Sequence, residues 1–181
     1  ETAVGRYPLE AVRTIARVAH QTETFKHRHR EVMRQDSENA LPTLTSIVHG
    51  ASVVTHQLNA RLVAVWSERG DSARLMSKEQ LVQPIIGLSA DERVCRQMAV
   101  MYGVLPMRLD RPADPSALLV ALDARLIERK LAQVEDVVVL VAGTSMNDPG
   151  VTNMIFVHRV GQGNVSMSFV HGLNAPAAQA P

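Results

Sequence analysis

The strongest constraint on the fold is a regular alternation of short apolar strands and amphipathic helices from residue 61 onward. Five segments rich in Val, Ile and Leu are predicted to be strands: Arg61–Trp66, Pro84–Leu88, Val104–Leu109, Asp136–Ala142 and Asn153–Val160. The helices predicted between them are Gly70–Lys78, Asp91–Tyr102 and Pro115–Leu131. Because connections of this length suit crossovers between parallel strands, the first four strands are expected to form a parallel sheet.

The last two predicted strands are connected differently. Only the ten residues 143–152 separate them, and these carry no helical pattern. That connection is too short for a crossover between parallel strands, so the fifth strand is expected to be antiparallel. The predicted fold class is therefore α/β: a three-layer sandwich whose five-stranded sheet is mostly parallel, with the last strand antiparallel and helices on both faces.

Two helices are predicted ahead of the sheet. Pro8 suits the first turn of a helix, where its missing N–H group removes no hydrogen bond. A second helix is predicted to start near Pro42. We expect three parts: residues 1–36 form a helix and a linker, residues 37–162 form the α/β domain, and residues 163–181 form a C-terminal extension with a disordered tail.

Composition argues against several classes of partner. The net charge is +1, so no electrostatic argument favours nucleic acid or an anionic membrane surface. The basic residues within 26–30 are interpreted as a solvated helix face. The single cysteine, Cys95, excludes an internal disulfide and suits a reducing compartment, so a cytoplasmic protein is predicted. No Cys and His residues have the spacing of a zinc site, and no metal site is predicted.

The first candidate site is the loop of residues 67–74, which follows the first predicted strand. A glycine turn at Gly70 leads into a helix that has Ser72 and Arg74 in its first turn. Free N–H groups, the helix dipole and a cation suit a phosphate there. In open α/β sheets, ligands bind at the carboxyl ends of the strands, where this loop begins. The ordinary alternative is that Ser72 only caps its helix.

The second candidate site is the loop between the last two strands. Its glycines and hydroxyl residues are Gly143, Thr144, Ser145, Gly150 and Thr152. Such a loop suits an anion held by backbone groups, and it equally suits an ordinary long turn. The chain has no Gly-x-Gly-x-x-Gly segment, no Walker lysine and no nucleophile elbow. From the residues alone, a regulatory or binding domain is favoured over an enzyme.

Five segments, taken in order along the chain, resemble the C-terminal domain of pyruvate kinases. They are Glu1–Val12, Trp66–Arg74, Pro84–Ser89, Arg96–Pro106 and Asp136–Asn153. The first (ETAVGRYPLEAV) is similar to the second half of that family's signature motif. The second (WSERGDSAR) is similar to its Thr-Glu-Ser-Gly-x-Thr-Ala-Arg loop. The resemblance runs from Glu1 to about Val160.

The resemblance implies a phosphorylated effector, such as fructose 1,6-bisphosphate, AMP or a sugar monophosphate. It also implies a homotetramer, to which this domain contributes one interface. The effector-phosphate contacts predicted in this way are Ser67, Arg69, Gly70, Ser72 and Arg74. Two residues depart from the family's loop. Arg69 replaces a small hydroxyl residue, and Asp71 places a carboxylate where a phosphate would approach.

The second loop also departs from the pattern of members regulated by fructose 1,6-bisphosphate. Those members use an Arg in this loop, and residues 143–152 contain none. They also use a Trp as another wall of the site, and no Trp lies between Leu109 and Leu131. We therefore expect a weak or absent response to fructose 1,6-bisphosphate, and either a monophosphate effector or none.

Glu1 and Thr2 match the edge of the family's active-site motif. The family's catalytic barrel, with its substrate-binding and metal-binding residues, has no counterpart in this chain. The resemblance implies that the parent protein transfers phosphate from phosphoenolpyruvate to ADP with Mg²⁺ and usually K⁺, and that this chain alone is inactive and needs no cofactor. Its implied partners are the parent's catalytic barrel and further copies of the chain. An alternative is a free-standing domain that binds a small phosphorylated ligand and has no kinase activity.

Overall fold

The computed structural model describes residues 2, 4–28, 42–143 and 151–162. The chain divides into two compact units, Glu1–Ala40 and Leu41–Pro181. In the first unit, helix α1 spans Pro8–Arg28 and so begins at the predicted proline. The three-part division expected from the sequence stays a prediction, because residues 29–41 and 163–181 lie outside the described ranges.

The second unit contains the predicted alternation of helices and strands. Its elements are α2 (Thr43–Gln57), β1 (Leu62–Trp66), α3 (Asp71–Lys78), β2 (Ile85–Ser89), α4 (Glu92–Met98), β3 (Val104–Arg108), α5 (Pro115–Glu128), β4 (Val137–Ala142) and β5 (Met154–Arg159). Each predicted strand is confirmed to within one residue at either end. The sequence predicted that helix α4 ends at Tyr102, but it ends at Met98. The helix stops early because the chain turns through residues 99–102 before Gly103 takes a φ of 70°.

The five strands form one sheet in the order β3-β2-β1-β4-β5. Strands β1, β2, β3 and β4 are parallel to one another, and β5 is antiparallel to β4, as the short connection predicted. From β1 the chain adds β2 and β3 on one side and then returns to add β4 on the other. Since right-handed crossovers put helices on opposite faces when this direction changes, the predicted sandwich with helices on both faces is confirmed.

One face of the sheet, here called the α5 face, is covered by α5. Its buried core combines helix residues such as Leu118 and Leu122 with strand residues such as Leu62, Trp66 and Leu140. All five residues of β1 are buried, as expected of a central parallel strand with both faces covered.

The opposite face, here called the α2–α4 face, is covered by three helices, α2, α3 and α4. Ala51 from α2, Met76 from α3 and Met98 from α4 pack there against Val63 and Val139. Across the described part of the chain, no helix combines the length and the apolar character needed to cross a membrane.

Candidate functional site

The candidate site lies at the carboxyl ends of β1 and β4, where the order of the strands reverses. Ser67 directly follows β1, and Gly143 directly follows β4; both are buried. The two strands are neighbours in the sheet, so the two loops predicted as candidate sites leave it side by side. Ligands of open α/β sheets bind in the crevice at such a reversal.

A hydrogen bond between side chains joins the two loops. Ser72 lies in the first turn of α3, and Thr152 lies just before β5; both are buried. Their hydroxyl oxygens are 2.9 Å apart, and either hydroxyl can be the donor. Ser72 therefore does not cap α3: Gly70 occupies the N-cap position, and no side-chain cap is present.

The backbone at Gly70 sets the geometry of the first loop. Its φ of 87° lies in the left-handed region, which L side chains rarely adopt. The N–H of Arg74 donates to the Gly70 carbonyl at 2.9 Å and makes the first hydrogen bond of the helix. The N–H groups of residues 71–73 come before that bond and therefore have no acceptor within the helix. Such N–H groups in the first turn are where helices bind anions.

The charges of the first loop pair with one another. One carboxylate oxygen of Asp71 lies 3.5 Å from Nε of Arg69, and the other lies 3.7 Å from Nη2 of Arg74. All three side chains are about half exposed or more, so these ion pairs contribute little to stability. A phosphate at this loop would compete with Asp71 for both cations.

A third ion pair at this edge, between Glu68 and Arg111, was missed by the sequence reasoning. Glu68 accepts a hydrogen bond from Nε1 of Trp66 at 3.3 Å, and its other oxygen pairs with the Arg111 guanidinium. The Glu68 side chain is only 17% exposed. Arg111 lies between β3 and α5, beyond the carboxyl end of a strand, and that position was the signal that could have identified it.

The remaining predicted site residues are placed as follows. Glu1, Thr144, Ser145 and Gly150 lie outside the described residues, and Thr2 is exposed and in no helix or strand. Within the described ranges, no group of three or more His, Cys, Asp and Glu side chains could hold a metal ion.

A second buried polar cluster lies at the opposite edge of the sheet. Nε2 of His158 on β5 contacts both carboxylate oxygens of Asp123 on α5, at 2.9 and 3.0 Å. The N–H of Gly161 donates to the same carboxylate at 2.8 Å. Since His158 pairs in register with Val138, near the start of β4, this cluster is separate from the candidate site. It connects a helix to an edge strand.

Together these features define an open, doubly wound α/β domain with a candidate anion site at the reversal of its strand order. The family described as "Pyruvate kinase, alpha/beta domain" matches residues 45–158. The chain belongs to this family, and the resemblance noted in its sequence is confirmed.

Curated relatives named "Pyruvate kinase" match over most of the chain. The protein from Geobacillus stearothermophilus is 32% identical over 161 residues, which cover 87% of this chain and 27% of that protein. The protein from Clostridium acetobutylicum is 29% identical, covering 88% of this chain and 34% of the relative. The protein from Mycobacterium tuberculosis is 28% identical, covering 91% and 34%. The chain thus spans 27 to 34% of the length of these relatives.

Proposed function

We propose that this chain is the C-terminal regulatory and assembly domain of a pyruvate kinase. The complete protein transfers the phosphoryl group of phosphoenolpyruvate to ADP and yields pyruvate and ATP. Support comes from the family match over residues 45–158 and from relatives that all carry the name pyruvate kinase. Because the chain matches about a third or less of each relative, we expect no kinase activity from it alone.

The metal ions of the complete protein belong, in this proposal, to the part that this chain lacks. Phosphoryl transfer depends on cations placed around the phosphates. The described residues offer no cluster of metal-ligating side chains that fits Mg²⁺. The chain's partners would then be the catalytic barrel of the parent and further copies of the chain in a homotetramer, in the cytoplasm.

The regulatory part of the proposal concerns a phosphorylated effector at the first loop. The observation that carries it is the 2.9 Å contact between Ser72 and Thr152, which brings the two candidate loops together at the crevice. Gly70 adds an uncapped helix start, and Arg69 and Arg74 add cations. A sugar monophosphate or AMP fits better than fructose 1,6-bisphosphate, since residues 143–152 contain no Arg for a second phosphate.

Calorimetric titration of the 181-residue chain tests the effector site. The ligands are AMP, ribose 5-phosphate, glucose 6-phosphate and fructose 1,6-bisphosphate. A monophosphate is expected to bind the wild-type chain and to lose its binding in Ser72→Asp, because a carboxylate in the first turn of α3 repels the phosphate.

Ser77→Asp is the matched control. Ser77 lies on the same helix, near its other end, and its hydroxyl donates only to the Arg74 carbonyl. That variant is expected to bind like the wild type. If the folded wild-type chain gives no heat with any of the four ligands, the effector proposal is wrong and the assembly role alone remains.

A further inference from the structure

We propose that residues 165–170 form a sixth strand, which pairs antiparallel with the outer edge of β5 and covers it. The described part of the chain ends at Gln162, three residues before this segment. The occupant of the edge is then the chain's own C-terminal segment, joined to β5 by a hairpin. The effector site proposed above has no part in this pairing.

The β3 edge of the sheet is protected against pairing with a further strand. The residues of β3 that face away from β2 are Val104, Pro106 and Arg108. The N–H of Val104 donates to the Met101 carbonyl at 3.2 Å, and Pro106 has no N–H. Among these three described residues, Arg108 alone keeps an N–H for another strand. Proline and a shortage of free donors are means by which proteins blunt an edge strand.

The outer edge of β5 has no such protection. Val160 donates to the Asp136 carbonyl at 3.0 Å, so the even-numbered residues of β5 bond to β4 and the odd-numbered residues face outward. The N–H and C=O groups of Ile155 and Val157 therefore point away from the sheet, and no described residue bonds to them. Neither residue is a proline or charged, and Val157 is 46% exposed. An edge of this kind is a template for another strand.

The turn after β5 leads the chain toward this edge. The carbonyl of Arg159 faces outward, and it accepts from the N–H of Gln162 at 3.1 Å. Gly161 lies between these two residues and has a φ of 89°, which the third residue of some tight turns requires. A bond from residue i to residue i+3 at the end of a strand closes a two-residue hairpin loop, here Val160-Gly161. The chain beyond Gln162 therefore starts beside the open edge.

The register set by this loop matches the sequence of the segment. Continuing the pairing places Val165 opposite Phe156. Two residues further on, Met167 lies opposite Met154. Since Phe156 and Met154 are partly buried against the core of the α5 face, the two new side chains extend that core. The segment (VSMSFV) begins with alternating apolar and polar residues, as a strand with one buried face does. A slip of one residue would bring Ser166 to the core side instead.

The short connection favours this segment over a strand from a second copy. A short linker holds its segment at an effective concentration on the order of mM, and a second copy would have to reach that concentration to compete. Residues 163–170 carry no charged side chain, so no charge repulsion opposes pairing with the apolar edge.

The first test is hydrogen exchange of single amides, measured by NMR on the 181-residue chain. In the proposed register Ser166 exchanges hydrogen bonds with Ile155, and Ser166→Pro removes one donor of that pair. The amides of Ile155 and Val157 are expected to exchange about tenfold or more slowly in the wild type than in this variant.

Ala178→Pro is the matched control for the introduced proline. Ala178 lies eight residues beyond the segment, so this variant should exchange like the wild type. The amide of Val63 reports on the fold, because it donates to the Pro84 carbonyl at 3.1 Å in the centre of the sheet. Its exchange rate should be the same in all three chains.

The second test is a disulfide between the two strands. Residues 156 and 165 form a non-hydrogen-bonded pair in this register, with Cβ atoms about 5 Å apart. In a Cys95→Ser background, the pair Phe156→Cys and Val165→Cys should close a disulfide within one chain when oxidised glutathione is added. The control pair is Phe156→Cys and Ala178→Cys, which should close several-fold more slowly. Thermal unfolding establishes that each variant is folded.

Two results would overturn the proposal. One is fast exchange of the Ile155 and Val157 amides in the wild type, equal to that in Ser166→Pro, which would mean that the edge is open. The other is slow exchange that depends on protein concentration and survives Ser166→Pro, together with disulfides between chains rather than within one. The strand on β5 would then come from a second copy.

Discussion

The two faces of the sheet are packed by different means. On the α2–α4 face, three helices approach the sheet and one another closely over small residues, among them Ala51, Ala73 and Gly87. A buried hydroxyl on this face, that of Thr55, bonds within its own helix to the Ala51 carbonyl at 2.7 Å. The hydroxyl of Ser52, also buried, donates to the Glu79 carboxylate at the end of α3 at 2.7 Å. The close approach of α4 to the sheet at Gly87 makes this face sensitive to added volume.

The α5 face combines large apolar residues with one buried polar connection. Leu118, Leu122 and Leu126 fill its core, while Asp123 on the same helix binds His158 of the edge strand. Both residues of that pair are almost fully buried, and Nδ1 of His158 has no hydrogen-bond partner among the described residues. The stability of this face therefore depends on hydrogen bonds between its buried polar groups as well as on the packing of its apolar side chains. The two faces should respond to different substitutions.

Removing the carboxylate of the α5 face is expected to have the largest effect. Asp123→Ala leaves the buried His158 Nε2 and the Gly161 N–H without an acceptor, so the free energy of unfolding should fall by about 3 kcal/mol. Urea denaturation measures this loss. In Asp123→Asn one amide oxygen can still accept, and the loss should be about 1 kcal/mol. Equal losses in the two variants would contradict a role for the polar connection.

Adding volume to the α2–α4 face is expected to have a smaller effect. A Cβ at Gly87 would lie 2.8 Å from Sδ of Met98 and 3.0 Å from a Val104 methyl group, so Gly87→Ala should cost about 2 kcal/mol of unfolding free energy. Gly50→Ala is the control on the same face: its Cβ meets only the end of Ile155, at 3.2 Å, and the gain in helix propensity offsets that contact. A Gly87→Ala variant as stable as Gly50→Ala would show that α4 does not lie tightly on the sheet.

The hydroxyl pair of the candidate site is expected to contribute about 1 kcal/mol. The variants Ser72→Ala, Thr152→Val and their combination form a double-mutant cycle, read out by urea denaturation. A coupling energy near zero would mean that the contact between the two loops, 2.9 Å long in the structure, adds nothing to stability.

The smallest effect concerns Cys95 on α4. Burial, followed by the nearby Asp91 carboxylate, raises the pKa of the Cys95 thiol above its usual value. Since the thiolate is the reactive form, iodoacetamide at pH 8 should modify the folded chain several-fold more slowly than the urea-unfolded chain. Equal rates would show that α4 leaves the thiol accessible and its ionisation unchanged.

The strands and their directions were predictable because the signals are local. Runs of Val, Ile and Leu marked each strand, and the ten-residue connection fixed the direction of β5. The end of α4 was not predictable from the same pattern. Val100 and Tyr102 continue the apolar spacing of that helix in the sequence. In the structure they are 90% and 47% exposed, so apolar side chains at these two positions do not indicate a buried helix face.

The candidate site was predictable only in part. Glycine and hydroxyl residues after β1 and before β5 gave the position of the crevice, and the structure places Ser72 against Thr152. The contacts of Glu68 with Arg111, and of Asp123 with His158, join residues 43 and 35 positions apart. No local pattern records such pairs, because each depends on how the crossovers place the helices and loops.

The pairing of β1 with β4 cannot form during synthesis until the chain has been made as far as β4. Leu62 of β1 pairs with Val138 of β4, about 75 residues further along the chain, whereas β1, β2 and β3 follow one another closely. At about 5 to 20 residues per second, a ribosome takes roughly 4 to 15 s to make the intervening chain. During that interval β1 has one edge without its final neighbour, and an unpaired edge of a buried strand is the kind of surface on which nascent chains aggregate.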